Sequence, residues 1–256
     1  MILYVIIIVT VEIKRNRPSE VLMFYIKIAD IKVRVDNKYK YVYHLCRDYL
    51  IEECEPDITV SATQEDIERE KIASCDIKAS DAYAEGVCIY RNICKQLPQK
   101  FDAYLFHSAL IEYEGKGYAF SAKSGTGKST HIALWQKEFG DDVRVINGDK
   151  PILRYTDGEI IAYGTPWCGK EHIGTNASVP LKAICFIERD EKNSITRITA
   201  NDAISRIFHQ ILTPRDMETL DSLFPLLDIT LRTIPCYLLK CNMDPEAAHV
   251  AYNGMK

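Results

Sequence analysis

The 256-residue chain has no excess of positive charge: 32 lysines and arginines face 36 aspartates and glutamates, for a net charge of -4. A nucleic-acid partner, which favours a basic face, is therefore not expected. Long hydrophobic runs are also missing. The apolar stretch Met1–Thr10 is about half the length of a membrane-spanning helix. Its basic residues Lys14, Arg15 and Arg17 follow it, whereas a secretory signal would place them before it. No membrane partner is expected. The nine cysteines include no pair spaced Cys-x-x-Cys and are odd in number. That spacing offers no zinc knuckle or thioredoxin-like motif, and the count suits reduced thiols in a cytoplasmic protein. Internal repeats and low-complexity segments are absent. What remains, 47% hydrophobic and 27% charged residues, is an ordinary globular composition.

The β-branched run at the N-terminus reads as a strand, but Met23 opens a strand pattern of its own. Residues 1–22 are therefore expected to be a dispensable extension. Residues 23–65 alternate apolar and polar positions, through Tyr25, Ile28, Val33, Val35, Tyr41–Tyr43, Ile58 and Val60. That pattern predicts short antiparallel strands. A charged helix is expected over Gln64–Ile72. A second, with Val87, Tyr90, Ile93, Cys94 and Leu97 at helical spacing, is expected to stop at Pro98. Residues 23–100 read as a β-rich part of the same unit as a core spanning 101–256.

In that core, Ala103–Tyr113 reads as one apolar strand, Glu114–Gly117 as a hairpin turn and Tyr118–Ala122 as a second strand. A helix is expected over Thr130–Phe139. Strands follow at Val143–Asn147, Pro151–Tyr155, Ile160–Tyr163, Leu181–Glu188 and Ile234–Lys240. Helices are expected over Asp202–Leu212, Arg215–Leu227 and Pro245–Tyr252. Strands outnumber helices, and several are joined as hairpins. An α/β fold with a mixed sheet is expected, not a regular strand–helix alternation.

Between the second core strand and its helix lies Ser124-Gly-Thr-Gly-Lys-Ser-Thr130. Glycines there let backbone N–H groups close around phosphate oxygens, and the helix N-terminus adds its dipole. In such a loop Lys128 reaches the β- and γ-phosphates of a nucleoside triphosphate and Ser129 ligates magnesium; Thr130 adds a second hydroxyl. The first glycine of the usual pattern is Ala122 here. ATP and Mg2+ are the cofactors this implies. The acid such a site needs for the magnesium shell is Asp149, after the strand Val143–Asn147. An Asn-Lys-x-Asp guanine reader, a Leu-Ser-Gly-Gly-Gln segment and an apolar run ending in Asp-Glu are all missing. A GTPase, a transporter and a motor or helicase are thereby disfavoured. Tyr163–Glu171 forms a glycine- and proline-bearing loop in which Trp167 offers an aromatic face and Lys170 a cation. Each suits a ligand or a plain packed turn equally. Cys168 reads as inert, and Arg154 and Arg215 are weaker candidates for charge stabilisation.

His107–Glu112, the glycine turn, Ser124–Ser129 and Val145–Arg154 together resemble, in order and spacing, the catalytic half of HPr kinase/phosphorylase. That family shares a P-loop core with ATP-dependent phosphoenolpyruvate carboxykinase. The resemblance covers residues 101–190. The preceding hundred residues do not resemble that family's N-terminal domain, so the chain looks like the shorter relatives that lack it. The resemblance implies a mixed-sheet P-loop kinase core, with His107 near the γ-phosphate. It makes Asp149 the second of two adjacent aspartates, acting as metal partner or as base for the attacking hydroxyl. The first of that pair is Gly148 here, with Asn147 before it as a partial substitute.

The expected activity is ATP-dependent phosphorylation of a hydroxyl, in a protein or peptide serine or in a small metabolite. The alternative is a nucleotide-binding regulatory or accessory module without efficient transfer, for which Gly148 is the best argument. A carboxykinase acting on an oxaloacetate-like acid is disfavoured by the short chain. A homo-oligomer is compatible with the sequence.

Overall fold

The computed structural model describes residues 22–73, 79–212 and 216–256. The expected N-terminal extension and Arg215 lie outside the described residues, apart from Leu22. The chain divides into two compact units, Met1–Ile93 and Cys94–Lys256. Among the described residues, no helix is long and apolar enough to cross a membrane.

The first unit holds a four-stranded sheet in the order β3-β1-β2-β4. Strands β1 (Leu22–Ile28) and β2 (Ile31–Asn37) are antiparallel, as expected, and turn at Ala29–Asp30, with Ile26, Val33 and Val35 fully buried. Residues Lys40–Leu45 form a helix, α1, and not a strand. Three alternating residues cannot distinguish the two periods. Here the buried carboxylate of Glu85 decides, accepting hydrogen bonds from the N–H groups of Lys38 (2.6 Å) and Tyr39 (3.0 Å) just ahead of the helix. Strand β3 (Leu50–Ile51) pairs antiparallel with β1. Strand β4 (Ile58–Ser61) pairs parallel with β2, against the antiparallel expectation, because the chain from Asn37 to Ile58 is long enough for a crossover. Helix α2 (Gln64–Ala73) is as expected. Helix α3 (Asp81–Phe101) contains the division between the units and runs through Pro98, which removes one backbone donor but does not stop it.

The second unit is a mixed α/β assembly. Its sheet runs β5-β9-β10-β11-β7-β6-β8, with β13 also beside β11 and β12 outside β13. The apolar run after residue 101 is two strands, β5 (Ala103–Leu105) and β6 (Ala109–Tyr113), and not one. Strand β5 pairs with β9 (Ile152–Thr156), while β6 pairs with β7 (Lys116–Ser121) and β8 (Arg144–Asn147). The break falls at Phe106-His107-Ser108. Strand β10 (Glu159–Tyr163) leads to the long β11 (Ser178–Arg189), which lies parallel to both β7 and β13 (Cys236–Cys241). Strand β12 (Ser194–Ile198), largely exposed, was not expected from the sequence.

Period-two alternation splits the buried residues between two faces. Ala119, Ile184 and Phe186 face α5 (Ala200–Phe208) and α6 (Met217–Thr233), which contribute Ile207, Leu223 and Leu227. Phe120, Ala183 and Cys185 face α4 (Lys128–Phe139) and α7 (Glu246–Met255), which contribute Trp135 and Ala251. Trp135 is fully buried and packs at a tilt against the rings of Tyr118 and Phe120. Deleting such a side chain typically costs about 3–5 kcal/mol. This packing fixes α4, and with it the loop that precedes it.

Candidate functional site

The glycine-rich loop leaves β7 at Ser121 and enters α4 at Lys128, the strand-to-helix junction expected from the sequence. Gly125 and Gly127 hold φ of +77° and +128°, a region that side-chain-bearing residues rarely enter. Arg189, at the end of β11, donates to the carbonyls of Gly125 and, at 3.0 Å, Thr126. Ser124, Gly125, Ser129 and Thr130 are exposed, while Thr126, Gly127 and Lys128 are half-buried. A cleft of ≈ 630 Å³ opens between this loop, the Phe186–Arg189 end of β11, and Arg206, His209 and Gln210. It lies where two parallel strands, β7 and β11, both end, the usual place for a ligand in a parallel sheet.

The break between β5 and β6 brings His107 to the same edge. Its neighbours are tied on both sides: Phe106 N–H donates to Pro151 (3.1 Å), His107 N–H to Gln210 (2.6 Å) and Ser108 N–H to Asp149 (3.0 Å). The Ser121 hydroxyl donates to the His107 carbonyl at 2.9 Å, locking the histidine to the start of the loop. His107 Nε2 lies 2.9 Å from Asp149 Oδ1 and 3.1 Å from Lys128 Nζ, and Nδ1 lies 2.9 Å from Gln210 Oε1. Lys150 Nζ donates to the other Asp149 oxygen.

Burial alone would raise the Asp149 carboxyl, but hydrogen bonds and charge from His107 and Lys150 outweigh it. The group is held well below the usual carboxylate range. An ionised carboxylate only accepts, so the Nε2 proton of His107 points to Asp149. Lys128, which only donates, then gains no hydrogen bond from Nε2 and keeps a 3.3 Å bond to the Ala122 carbonyl. Burial lowers the Lys128 pKa; Asp149 and Glu171 oppose that shift.

Asn147, expected as a partial substitute for a carboxylate at position 148, is committed to the fold instead. Its amide donates to the Thr165 carbonyl (3.0 Å) and hydroxyl (3.1 Å), and its oxygen accepts from the N–H groups of Asp149 (2.9 Å) and Lys150 (2.6 Å). Fully buried and fully engaged, it shapes the turn that presents Asp149. Gly148 leaves no room for any side chain: a methyl group there would sit 2.8 Å from the Cys168 carbonyl oxygen and 3.2 Å from that of Ile173. The segment from Tyr163 to Glu171 packs over this strand exit. Trp167 is half-buried within it, its backbone N–H donating to the Thr165 hydroxyl at 3.3 Å, and Lys170 is exposed. Burial pushes the Cys168 thiol up, away from a reactive thiolate. Arg154 sits within β9, opposite Ala103 and Ile161.

The structure thus unites His107, Lys128 and Asp149, together with three residues that the sequence reading missed. Lys150 was legible as the neighbour of Asp149. Gln210 and Arg189 had no local signal, since only the sheet brings them here.

No family model matches the chain, and no curated protein is similar to it. Among solved structures, the HPr(Ser) kinase/phosphatase from Coxiella burnetii is similar over 59% of this chain and 95% of that one. The sequence identity is 9% and the TM-score 0.36. A superposition that loose carries no inference about this chain.

Proposed function

We propose that the chain is a magnesium-dependent kinase that transfers the γ-phosphoryl group of ATP to a hydroxyl, in a protein or peptide serine or in a small metabolite. The observation that carries this reading is the convergence of Lys128, His107 and Asp149 at the mouth of the glycine-rich loop. The loop alone would only bind a triphosphate. A carboxylate beside its lysine adds a group able to take a proton from an attacking hydroxyl.

In the transfer, the acceptor oxygen bonds to the γ-phosphorus while the bond from that phosphorus to the β,γ-bridging oxygen breaks. ADP leaves with the electron pair, and the hydroxyl proton passes to Asp149. A carboxylate with so low a pKa is a weak base. In a loose phosphoryl-transfer transition state there is little covalent chemistry for the protein to do, so positioning and charge dominate and a weak base suffices. His107 and Lys150 keep Asp149 ionised and aimed. Lys128, having no hydrogen bond from Nε2 to lose, turns to the β- and γ-oxygens. The backbone N–H groups of residues 124–130 cradle the phosphates at the N-terminus of α4. Magnesium, when bound, would neutralise charge on those oxygens. The Ser129 hydroxyl and the Asp149 carboxylate are the hard oxygen donors it takes. Lys170 and Trp167 would meet the acceptor, and Arg154 would add charge at longer range.

The test is transfer from labelled ATP to a panel of peptides and metabolites. An acceptor labelled by the native protein, and far less by Asp149→Asn, supports the reading. The closed space at Gly148 favours a second reading, a nucleotide-binding regulatory module. Tight ATP binding without transfer to any acceptor would support that one instead.

A further inference from the structure

The glycine-rich loop has little packed against it. A methyl group added to Gly125 or Gly127 would find no atom within 4 Å, and Ser124, Gly125 and Ser129 are exposed. Both glycines hold positive φ, and a glycine has many other conformations open to it. A loop that its ligand must order loses part of the binding free energy to that ordering. Something other than packing therefore has to keep this loop in the shape of a cradle.

Hydrogen bonds supply that hold. Thr126 N–H donates to the Lys123 carbonyl at 3.1 Å, closing one turn inside the loop. The rest comes from outside. Arg189 Nε donates to the Thr126 carbonyl at 3.0 Å, and Nη2 of the same guanidinium donates to the Gly125 carbonyl. The planar fork takes two successive peptide oxygens at once, a geometry that the point charge of a lysine does not fix. The arginine is itself anchored. It is the last residue of β11, opposite Cys241 of β13, and Asp190 N–H donates to the Cys241 carbonyl at 3.0 Å. Strand β11 also lies parallel to β7, which enters the loop.

In a trans peptide the N–H points opposite to the C=O. With the Thr126 carbonyl held toward Arg189, the Gly127 N–H faces the other side of the loop. The guanidinium charge then sits at the oxygen end of these peptide dipoles, which favours an anion at the N–H end.

We infer that Arg189 is the positioning residue of the phosphate cradle, holding the Gly125 and Thr126 carbonyls so that the loop is formed before a triphosphate arrives. The inference rests on the triphosphate-binding reading above. Arg189 acts through the loop backbone, so its effect falls on phosphate affinity and not on recognition of the nucleoside.

Inorganic tripolyphosphate is the probe, because it carries the phosphate chain without the nucleoside. Its affinity and that of ATP are measured by calorimetry for native protein, Arg189→Gln and Arg189→Lys, with thermal melts alongside. Arg189 is exposed, so all three proteins should melt together. Arg189→Gln should weaken both ligands by the same factor, at least about tenfold, as expected when hydrogen bonds from a charged donor are lost. Arg189→Lys, keeping the charge but not the fork, should fall between. In the ligand-free Arg189→Gln protein, amide hydrogen exchange should quicken across residues 121–130 and keep its native rate elsewhere. Unchanged tripolyphosphate affinity in the folded Arg189→Gln protein would overturn the clamp and leave the kinase reading standing. So would a loss confined to ATP, which would make Arg189 a nucleoside contact, or an early melt with faster exchange throughout, which would give it to the fold as a whole. A native protein that binds neither ligand would overturn the triphosphate reading itself, and this inference with it.

Discussion

A methyl group added to Gly125 or Gly127 would touch nothing within 4 Å, yet both residues hold positive φ. Gly148, Gly164 and Gly174, in the strand exits and the covering loop, hold no such φ but have no free space. A methyl on Gly164 would collide with the Thr175 carbonyl oxygen and lie 2.9 Å from that of Ile146, and one on Gly174 would lie 3.0 Å from Cys168 Cβ. The first loop spends glycine on conformation and keeps its surroundings open. The second spends it on close packing of backbone against backbone. The contrast is that of an open cradle facing a finished wall. The wall presents Asp149, while the cradle presents Lys128 and Ser129.

The largest expected effect breaks the wall. Gly164→Ala forces a methyl into the carbonyl oxygens of Thr175, in the covering loop, and Ile146, on β8, and its own N–H must keep its 2.9 Å bond to Ala177. A loss of about 3 kcal/mol or more in urea unfolding is expected, the upper part of the range for overpacking. A wild-type midpoint would show that the packing there is loose. Next is acid sensitivity. His131, on the core face of the helix that bears Lys128, is buried and accepts the Trp135 indole proton at 3.0 Å; burial lowers its pKa from 6.5 to about 4. The unfolded chain takes up this proton below pH 6.5 and the folded chain does not until about pH 4. Stability should therefore fall as pH drops through that window and stay level above it. His131→Gln should remove the slope, as read from midpoints at stepped pH.

Asp149→Asn separates the wall's chemistry from the cradle's binding. The amide keeps the shape and removes the charge, so single-turnover transfer should fall at least ~10²-fold while ATP still binds. Full transfer by the variant would remove Asp149 from the mechanism. Least disruptive to the fold is Gly125→Ala. With open space around the residue, only the strain of its left-handed backbone remains, about 1 kcal/mol. A collapse like that expected for Gly164→Ala would erase the distinction between the two loops.

The cradle was legible in the sequence because it is contiguous. Strand, glycines, lysine, serine and helix follow one another within Lys116–Phe139, and local spacing carries all of it. Asp149 was legible from its position after a strand. The wall was not. The engagement of Asn147 with Thr165 joins residues 18 apart, and the hold of Gln210 on His107 spans 103. Neither leaves a periodic trace. The division of Ala103–Tyr113 was hidden because both halves are apolar and the break shows only in their different partners. Strand β12, reading Ser-Ile-Thr-Arg-Ile, carries too little apolar alternation to announce itself, and its pairing with β13 makes it a strand.

The central claim is that Lys128 and its loop hold a triphosphate. Calorimetric titration of ATP with magnesium into native protein and Lys128→Ala tests it most directly, with circular dichroism confirming that both are folded. The Lys128 ammonium lies 3.1 Å from His107 Nε2, donates to the Ala122 carbonyl and is half-buried, so its loss should leave the fold intact. The account predicts one ATP bound per native chain and no high-affinity binding by the variant. Equal affinity in a folded Lys128→Ala protein would contradict it.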